Sequence, residues 1–245
     1  MQNKNKKKIT IIILATNEEK ILKKTVDTIF NDNKKNINKF IIITPKNVSA
    51  GCLKTIKKLK KIYKNILSHF YQPKKFPGYG GASIFGISLV SSKFFILCDA
   101  DGETDPKEVK NLIREVGDSE RLIVSCSRWL AGNWSNQYPM IDYILNWIFQ
   151  KFTSILFFTN LTDYTVGYRI YPTRLMKSIK FKNFNQSFSL ESILIPIKRG
   201  IKIKEIPYNF IRRTEGQSTN SFFNKLRYVK TLFECRFREN TRKNK

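Results

Sequence analysis

Histidine and cysteine are scarce in this chain of 245 residues, which contains one histidine and four cysteines. Cys52, Cys98, Cys126 and Cys235 are widely spaced, and no two of them form a Cys-x-x-Cys pair. Because His69 alone cannot complete a Cys/His cluster, this composition excludes a structural zinc site of that kind. Cys98 and Cys126 lie in apolar runs, so we expect them to be small core residues. This cysteine usage is typical of a reducing compartment and predicts a cytoplasmic protein.

Acidic residues are also few, with 19 Asp and Glu against 45 Lys and Arg and a formal net charge of +26. Such a charge indicates anionic partners: nucleic acid, an anionic membrane surface or phosphorylated substrates. Compositional drift toward lysine and asparagine is the alternative explanation. The sequence has no zinc-finger spacing and no recognition motif for nucleic acid, so nucleic acid is not an expected partner.

The chain has no apolar run that clearly predicts a transmembrane helix. Residues 143–161 come nearest, but they include Asn146, Gln150, Lys151 and Asn160. A central lysine costs about 2.5–3.5 kcal/mol on insertion scales, so we expect a buried or interfacial amphipathic helix. No signal peptide is visible at the N-terminus. These features predict a cytoplasmic protein, with a peripheral position at the inner face of the membrane as the further expectation.

The length and the apolar content of 41% suit a single α/β domain. We predict a disordered basic tail at 1–8 and a folded domain at 9–218. Residues 219–245 are predicted to form a basic amphipathic helix, which is a candidate for facing a membrane.

Apolar, β-branched runs alternate with helical patterns over the first half of the chain. Strands are predicted at 9–14, 40–43, 94–98 and 122–126, and the helix after the second strand is predicted at 53–67. This alternation predicts an α/β, Rossmann-like fold, with a mostly parallel central sheet and helices on both faces.

Asp99-Ala100-Asp101 directly follows the predicted strand 94–98. Two carboxylates so close at a strand end repel each other unless a cation lies between them. Mg²⁺ and Mn²⁺ prefer oxygen ligands and often join carboxylates to substrate phosphates. The pattern therefore predicts a metal site for a phosphorylated substrate, at the sheet edge where ligands bind. The alternative is an acidic turn in which Asp105 caps a helix.

Six segments, in order along the chain, resemble the motifs of family 2 glycosyltransferases, and most closely those of the dolichyl-phosphate mannose synthase-like branch. They are Ala15–Glu19, Gly78–Ala82, Asp99–Glu103, Ser125–Arg128, Asp163–Arg169, and Glu205–Pro207 with Arg213, Gly216 and Ser218. The resemblance spans about Ile9 to Ser218 and implies the GT-A fold. It also implies a nucleotide-sugar donor.

The resemblance implies a Mg²⁺ or Mn²⁺ ion held by Asp99, Asp101 and Glu103, with Asp101 as the first choice for a direct ligand. For Glu103, a first-turn acid that complements a helix dipole is the alternative. The resemblance also implies a set of nucleotide-binding residues: Thr16, Glu18, Gly80, Asp99, Arg128, Arg213 and Ser218.

These nucleotide-binding assignments have simpler alternatives. Thr16 or Asn17 can cap a helix, and the glycines can form a flexible turn. Any single arginine can be a surface charge. Arg169 is a further arginine that its motif position makes a candidate for anion binding.

The need for a catalytic base depends on the acceptor. A hydroxyl must lose a proton to a carboxylate, whereas a lipid phosphate is already ionised and attacks directly. By motif position Asp163 and Glu191 are the candidate catalytic acids, and each can be the base or can organise the acceptor pocket.

Two segments depart from the family pattern. Thr44 and Pro45 stand where the family has Asp-Asp-Gly-Ser, so the nucleoside base is not predicted. Tyr138-Pro139 is followed by Met140, Ile141 and Asp142 instead of basic residues.

The sequence thus predicts a metal-assisted, inverting glycosyltransferase that acts on a polyprenyl-phosphate or surface-glycan acceptor. A nucleotidyltransferase and a non-catalytic anion-binding relative are the alternatives. The oligomeric state is not predicted.

Overall fold

The computed structural model describes residues 8–132, 139–208 and 222–239. The strands are β1 (Ile9–Leu14), β2 (Ile37–Thr44), β3 (Leu67–Tyr71), β4 (Phe94–Asp99), β5 (Leu122–Ser127), β6 (Arg169–Pro172) and β7 (Lys202–Pro207). The helices are α1 (Lys20–Asn33), α2 (Ala50–Tyr63), α3 (Gly78–Leu89), α4 (Glu108–Val116), α5 (Arg128–Ala131), α6 (Met140–Phe157), α7 (Thr173–Lys177), α8 (Phe188–Lys198) and α9 (Phe222–Phe237).

The strands form one sheet with the order β3-β2-β1-β4-β6-β5-β7. The first four strands in this order are parallel, β6 runs antiparallel between β4 and β5, and β7 is parallel to β5. The predicted mostly parallel α/β sheet is confirmed. The carboxyl ends of β1, β2 and β4 therefore meet at one edge, where open α/β sheets bind ligands.

Both faces of the sheet are covered, as the continuous apolar strands require. Ile11 and Ile13 of β1 join one core cluster with Leu22 and Val26 of α1, whereas Ile12 joins a second cluster on the other face. The two-residue period of a strand thus divides one run of isoleucines between two cores.

The predicted elements match the structure best where the chain is buried. β1 has the predicted limits, and β4 extends the predicted strand by Asp99. The helix predicted at 53–67 is α2, which ends at Tyr63. Lys64 then has a positive φ of 27°, and a short 3₁₀ turn leads to β3. β3, β6 and β7 were not predicted, because each is short and lacks a long apolar run.

All four cysteines are buried and free of disulfide bonds. The prediction of small core residues at Cys98 and Cys126 is confirmed. Burial raises the pKa of the Cys98 thiol to about 12, so this thiol is not a reactive group.

The C-terminal helix α9 packs against α8. Leu232 and Cys235 of α9 are buried in the same core cluster as Leu190 and Leu194 of α8. The described part of α9 is therefore integral to the fold. Residues 1–7 and the predicted boundary at 218 lie outside the described residues, and the domain limits stay predictions.

Helix α6 covers most of residues 143–161, the segment whose composition comes nearest to that of a transmembrane helix. Within residues 8–132, 139–208 and 222–239, the model contains no helix with the length and apolar character needed to cross a membrane.

Arg169 is fully buried at the start of β6 and joins three parts of the fold. Its guanidinium donates to Ser125 Oγ at 2.9 Å, to the Tyr164 carbonyl at 2.9 Å and to the Ser189 carbonyl at 2.7 Å. The hypothesis that Arg169 binds the substrate anion is wrong, because these neutral partners use its donors inside the core.

We predict that Arg169→Met lowers the free energy of unfolding by roughly 3 kcal/mol or more, since it leaves buried carbonyls without donors. Urea denaturation measures this change. The exposed Arg174→Met on α7 is the matched control and should change stability little. Equal effects from both substitutions would contradict the structural role of Arg169.

Candidate active site

A cleft of about 910 Å³ opens at the carboxyl edge of the sheet. Its walls include the segments that follow β1 and β4, the start of α3, and residues 165–168. The cleft is large enough for a nucleotide-sized ligand. Four of the predicted motifs, which are distant in the sequence, thus meet at one place.

The turn after β4 carries the acidic motif into this cleft. Asp99 pairs with Leu14 of β1, and the Ala100 amide donates to the Leu14 carbonyl at 3.2 Å. Ala100 is buried, and it lines the cleft together with Asp99 and Asp101 on either side of it. The Glu103 amide donates to Asp101 Oδ1 at 3.1 Å, which fixes the turn around that carboxylate.

Gly102 is required in this turn because its φ is +83°. Side chains other than glycine are strained in that region of backbone space. The Thr104 hydroxyl donates to the Asp99 carbonyl at 3.3 Å and closes the turn from the other side. The acidic motif is therefore held by its own backbone.

The three predicted metal ligands Asp99, Asp101 and Glu103 all line the cleft. Within the described part of the chain, no group of three or more His, Cys, Asp or Glu residues is arranged to hold a metal ion. Mg²⁺ in nucleotide sites commonly takes one or two carboxylates and completes its shell with phosphate oxygens and water. Two carboxylates beside an open cleft fit that pattern, and the full ligand set stays a prediction.

Glu103 does not have the helix-dipole role considered as its alternative. Helix α4 begins at Glu108, so Glu103 lies before its first turn. The Glu103 carbonyl instead accepts a hydrogen bond from the Tyr208 hydroxyl at 3.4 Å, which joins this turn to the end of β7.

Thr16 and Glu18 line the cleft at the end of β1, as predicted for nucleotide-binding residues. Glu18 is buried, and its carboxylate accepts hydrogen bonds from the Thr16 amide at 2.6 Å and the Asn17 amide at 2.9 Å. Glu18 therefore shapes its own loop. The helix-cap alternative is not realised, because α1 begins at Lys20 with Glu19 as its N-cap residue and has no side-chain cap.

The end of β2 lacks an acidic side chain. Thr44 is fully buried, and its hydroxyl lies 2.9 Å from Nε2 of His69. Pro45 and Asn47 line the cleft instead. The cleft is thus uncharged on the side formed by Pro45 and Asn47.

The glycine motif forms the first turn of α3. Gly78 and Tyr79 line the cleft, but Gly80, predicted to bind nucleotide, is packed against another segment. A Cβ atom on Gly80 would lie 2.3 Å from the Asn183 carbonyl oxygen. Gly80 is therefore a glycine because the chain packs closely there. It does not line the cleft, so the predicted nucleotide-binding role of Gly80 is replaced by a packing role.

Arg128 and Asp163 form a buried ion pair beside the cleft. Nε of Arg128 lies 2.7 Å from Asp163 Oδ2, and the terminal nitrogen Nη2 lies 2.8 Å from Oδ1. The Val166 amide and the Thr165 amide and hydroxyl also donate to Asp163 at 3.2 Å each. Arg128 borders the cleft, whereas Asp163 is fully buried and is not one of its lining residues.

These contacts argue against Asp163 as a catalytic base. Burial alone would raise the pKa of the carboxyl, but the charge and hydrogen bonds of Arg128 hold it below the usual value. A carboxylate that accepts this many hydrogen bonds is a poor proton acceptor. Asp163 instead positions Arg128 and the 163–166 turn at the cleft wall.

Glu205, in the motif Glu205–Pro207, holds the loop that carries Asp163. Its carboxylate accepts hydrogen bonds from the Thr162 amide at 2.7 Å and the Asp163 amide at 2.8 Å. Burial raises the pKa of Glu205, and these hydrogen bonds offset part of that rise. The motif on β7 thus supports the loop that carries the buried acid.

Glu191 is a structural acid as well. It is buried on α8 and accepts hydrogen bonds from the Lys182 amide at 3.0 Å, the Asn183 amide at 2.9 Å and the Arg238 guanidinium at 2.7 Å. It does not line the cleft. The role of base considered for Glu191 is corrected to that of an anchor for the 182–183 segment and the end of α9.

Arg213 and Ser218, both predicted to bind the nucleotide, lie outside the described residues, as does Gly216 of the same motif. Sequence reasoning missed Gln72, Gln186 and Tyr228, which also line the cleft. Gln72 follows the unpredicted strand β3, and Tyr228 reaches the cleft from α9. Only the tertiary fold brings them there.

Residues 10–180 match the model of glycosyl transferase family 2. The chain belongs to this family. The recognition made from the six motifs is confirmed, and the chain is a nucleotide-sugar-dependent glycosyltransferase.

Two relatives resemble this glycosyltransferase at 27% identity. The uncharacterized protein MJ1222 of Methanocaldococcus jannaschii aligns over 212 residues, 84% of this chain and 83% of that protein. An undecaprenyl-phosphate mannosyltransferase of Micrococcus luteus aligns over 150 residues, 59% of this chain and 61% of that protein.

Solved structures of glucosyl-3-phosphoglycerate synthase from Mycobacterium tuberculosis share the fold of this glycosyltransferase. A complex with Mn²⁺, uridine diphosphate and phosphoglyceric acid has a TM-score of 0.70 at 13% identity and covers 96% of this chain and 80% of that chain. A complex with Mg²⁺ and uridine diphosphate has a TM-score of 0.69 at 13% identity and covers 94% and 79%. The predicted GT-A fold is confirmed by this likeness.

We predict that Asp163→Asn lowers the free energy of unfolding by roughly 3–5 kcal/mol, because it leaves the Arg128 guanidinium without its buried counterion. Urea denaturation followed by circular dichroism measures the loss. The exposed Asp118→Asn is the control. An Asp163→Asn variant with wild-type stability and no activity would restore Asp163 as a base.

The stability conferred by Asp163 should also depend on pH. Its pKa in the folded protein is lowered from 3.8, so its contribution is present above that pH and is lost as the pH falls further. We expect the stability difference between wild type and Asp163→Asn to be largest at neutral pH and to narrow below 3.8. A constant difference over this range would contradict the ionised pair.

Proposed function

We propose that this glycosyltransferase moves a hexosyl group from a nucleotide sugar to the phosphate of a polyprenyl phosphate, with inversion at the anomeric carbon. The observation that carries the proposal is the pair Asp99 and Asp101 at the end of β4, beside a cleft of nucleotide size. A lipid-phosphate acceptor also places the enzyme at the cytoplasmic face of a membrane.

The metal-dependent part of the proposal assigns Asp99 and Asp101 to a Mg²⁺ or Mn²⁺ ion, with Glu103 next to them. When bound, the ion supplies Lewis-acid stabilisation to the departing diphosphate. Both Mn²⁺ and Mg²⁺ are bound with uridine diphosphate in the structural neighbours, which supports the same metals here. Thr16, Pro45 and Asn47 would border the nucleoside.

The acceptor is inferred from the roles of the acids. Among the described residues, the carboxylates that line the cleft are Glu18, Asp99, Asp101 and Glu103. Glu18 is bound by its own loop, Asp99 and Asp101 are assigned to the proposed cation, and Glu103 lies next to them. Since Asp163 is enclosed elsewhere, none of the carboxylates in the described part of the chain is left to take a proton from a hydroxyl. An ionised phosphate needs no base.

The reaction is then a single displacement. A phosphate oxygen of the acceptor forms a bond to the anomeric carbon while the bond from that carbon to the diphosphate oxygen breaks. The nucleoside diphosphate leaves with the bonding electron pair, and no proton moves. The relative named undecaprenyl-phosphate mannosyltransferase supports a lipid-phosphate acceptor.

We predict that Asp101→Asn slows sugar transfer by more than about a hundredfold, because a cation held by one carboxylate stabilises the leaving group less. The assay supplies nucleotide sugars with Mn²⁺ and a short polyprenyl phosphate and measures the nucleoside diphosphate released. The exposed Asp32→Asn on α1 is the control. Equal activity in both variants would remove the acidic pair from the mechanism.

The acceptor class is tested by offering the polyprenyl phosphate and the polyprenol of equal length. The proposal expects turnover with the phosphate alone. Turnover with the alcohol or with a glycan hydroxyl would establish the hydroxyl acceptor and would require a base among the cleft acids. Release of pyrophosphate instead of nucleoside diphosphate would indicate a nucleotidyltransferase.

A further inference from the structure

Helix α6 has its large exposed apolar side chains on the side that faces away from the protein. One side faces the protein, where Gln150, Thr153 and Phe157 are buried. The other side and the residue after the helix leave large hydrophobic side chains exposed to solvent: Met140, Ile141, Ile144, Leu145, Trp147, Ile148, Phe152, Ile155 and Phe158. A surface helix normally turns its apolar stripe toward the core, so the exposed apolar stripe of α6 is the reverse of the usual arrangement.

Helix α9 extends the same surface. Its exposed hydrophobic residues recur at helical spacing: Leu226, Val229, Phe233 and Phe237. The rings of Phe152 and Phe233 lie 6.1 Å apart, edge to face, and join the two stripes. We call the exposed residues of these two stripes the α6–α9 face.

The α6–α9 face contains most of the large hydrophobic side chains that are exposed in the described part of the chain. The others are Ile62, Tyr71, Leu130 and Phe184. Single exposed hydrophobic residues are ordinary, but a continuous patch of this kind marks a surface that meets a partner or a membrane.

Cations lie over the aromatic rings of this face. Lys151 Nζ is 5.9 Å from the centre of the Trp147 ring, and the Arg236 guanidinium is 5.5 Å from the centre of the Phe158 ring. The one acid of α9 within the patch, Glu234, lies 3.8 Å from Lys230. Aromatic and aliphatic groups with interspersed cations, on a chain of net charge +26, complement the headgroups and upper acyl chains of an anionic bilayer.

We infer that the α6–α9 face docks on the surface of an anionic lipid leaflet. Helix α6 lies flat in this arrangement over a length of about 27 Å. Trp147 and Phe158 enter the boundary between headgroups and acyl chains, while Lys151 and Arg236 remain at the phosphates. Docking depends only on this surface and not on the reaction catalysed in the cleft.

The inner sides of the same helices border the cleft. Gln150 of α6 donates to the Thr165 hydroxyl at 3.2 Å, and both Thr165 and Tyr228 of α9 line the cleft. Docking therefore brings the cleft to within about one helix diameter, ~10 Å, of the leaflet. If the proposed function holds, a lipid-linked phosphate reaches the cleft from that side.

The inference is tested by flotation of the full chain with phosphatidylcholine vesicles, with and without phosphatidylglycerol and without substrate. We expect binding that needs the anionic lipid and weakens with salt. In parallel, brominated acyl chains should quench tryptophan fluorescence in wild type, and Trp147→Phe should remove most of the quenching. Absence of binding to both vesicle types, or quenching that persists in Trp147→Phe, would overturn the inference.

Ile148→Ser with Ile155→Ser should lower vesicle partitioning by at least about tenfold, because two exposed apolar side chains no longer enter the membrane. Ile62→Ser, an equally exposed isoleucine on α2, is the matched control. Lys151→Glu should weaken binding to anionic vesicles, whereas Lys61→Glu on α2 should not. Equal loss from the controls would indicate nonspecific charge binding and contradict the assigned face.

Light scattering without lipid examines the competing occupant, a second copy of the chain. A dimer that the Ile148/Ile155 substitutions dissociate, together with no vesicle binding, would assign the face to self-association and overturn the inference. Metal-dependent nucleotide binding is measured on the same variants. It should remain at the wild-type level, so a failure of docking is distinguished from a failure of the proposed function.

Discussion

The repulsion between Asp99 and Asp101 is the constraint on which the site depends. Buried β4 places one carboxylate at its end, buried Ala100 spaces the second, and the positive φ of Gly102 turns the chain back. Hydrogen bonds within the turn prevent the acids from separating. In the proposed function a divalent cation offsets that repulsion and in turn binds the anionic diphosphate of the donor.

The acids near the site fall into two groups, those buried in the fold and those that line the cleft. Asp163 and Glu191 are enclosed by arginine and by backbone amides, and they hold loops in place. Leaving either of them without its partner would be costly, which gives their motif positions a structural explanation. The acids that face the cleft are instead those on the turns after β1 and β4. Among the described residues, this division of the carboxylates supports the proposed phosphate acceptor.

The central strands and the position of the acidic pair could be predicted because both depend on local sequence. An uninterrupted apolar run such as 9–14 or 94–98 is typical of a buried strand. The acids that directly follow the run 94–98 must then lie at the edge of the sheet. The roles of Asp163 and Glu191 could not be predicted, because their arginine partners lie 35 and 47 residues away in the chain. Gly80 was misassigned because its close neighbour, the Asn183 carbonyl, is equally remote in sequence. The exposed side of α6 could not be predicted either, because the apolar residues of this helix alone do not show which of its sides packs against the protein.

Electron paramagnetic resonance of Mn²⁺ tests the cation site most directly, since bound ions lose the sharp signal of the free ion. The account predicts that wild-type protein and a nucleoside diphosphate together remove more signal than either does alone. It also predicts that this excess disappears when Asp99 and Asp101 are both replaced by Asn. An excess that survives the double substitution would contradict the assignment of the cation to the acidic pair.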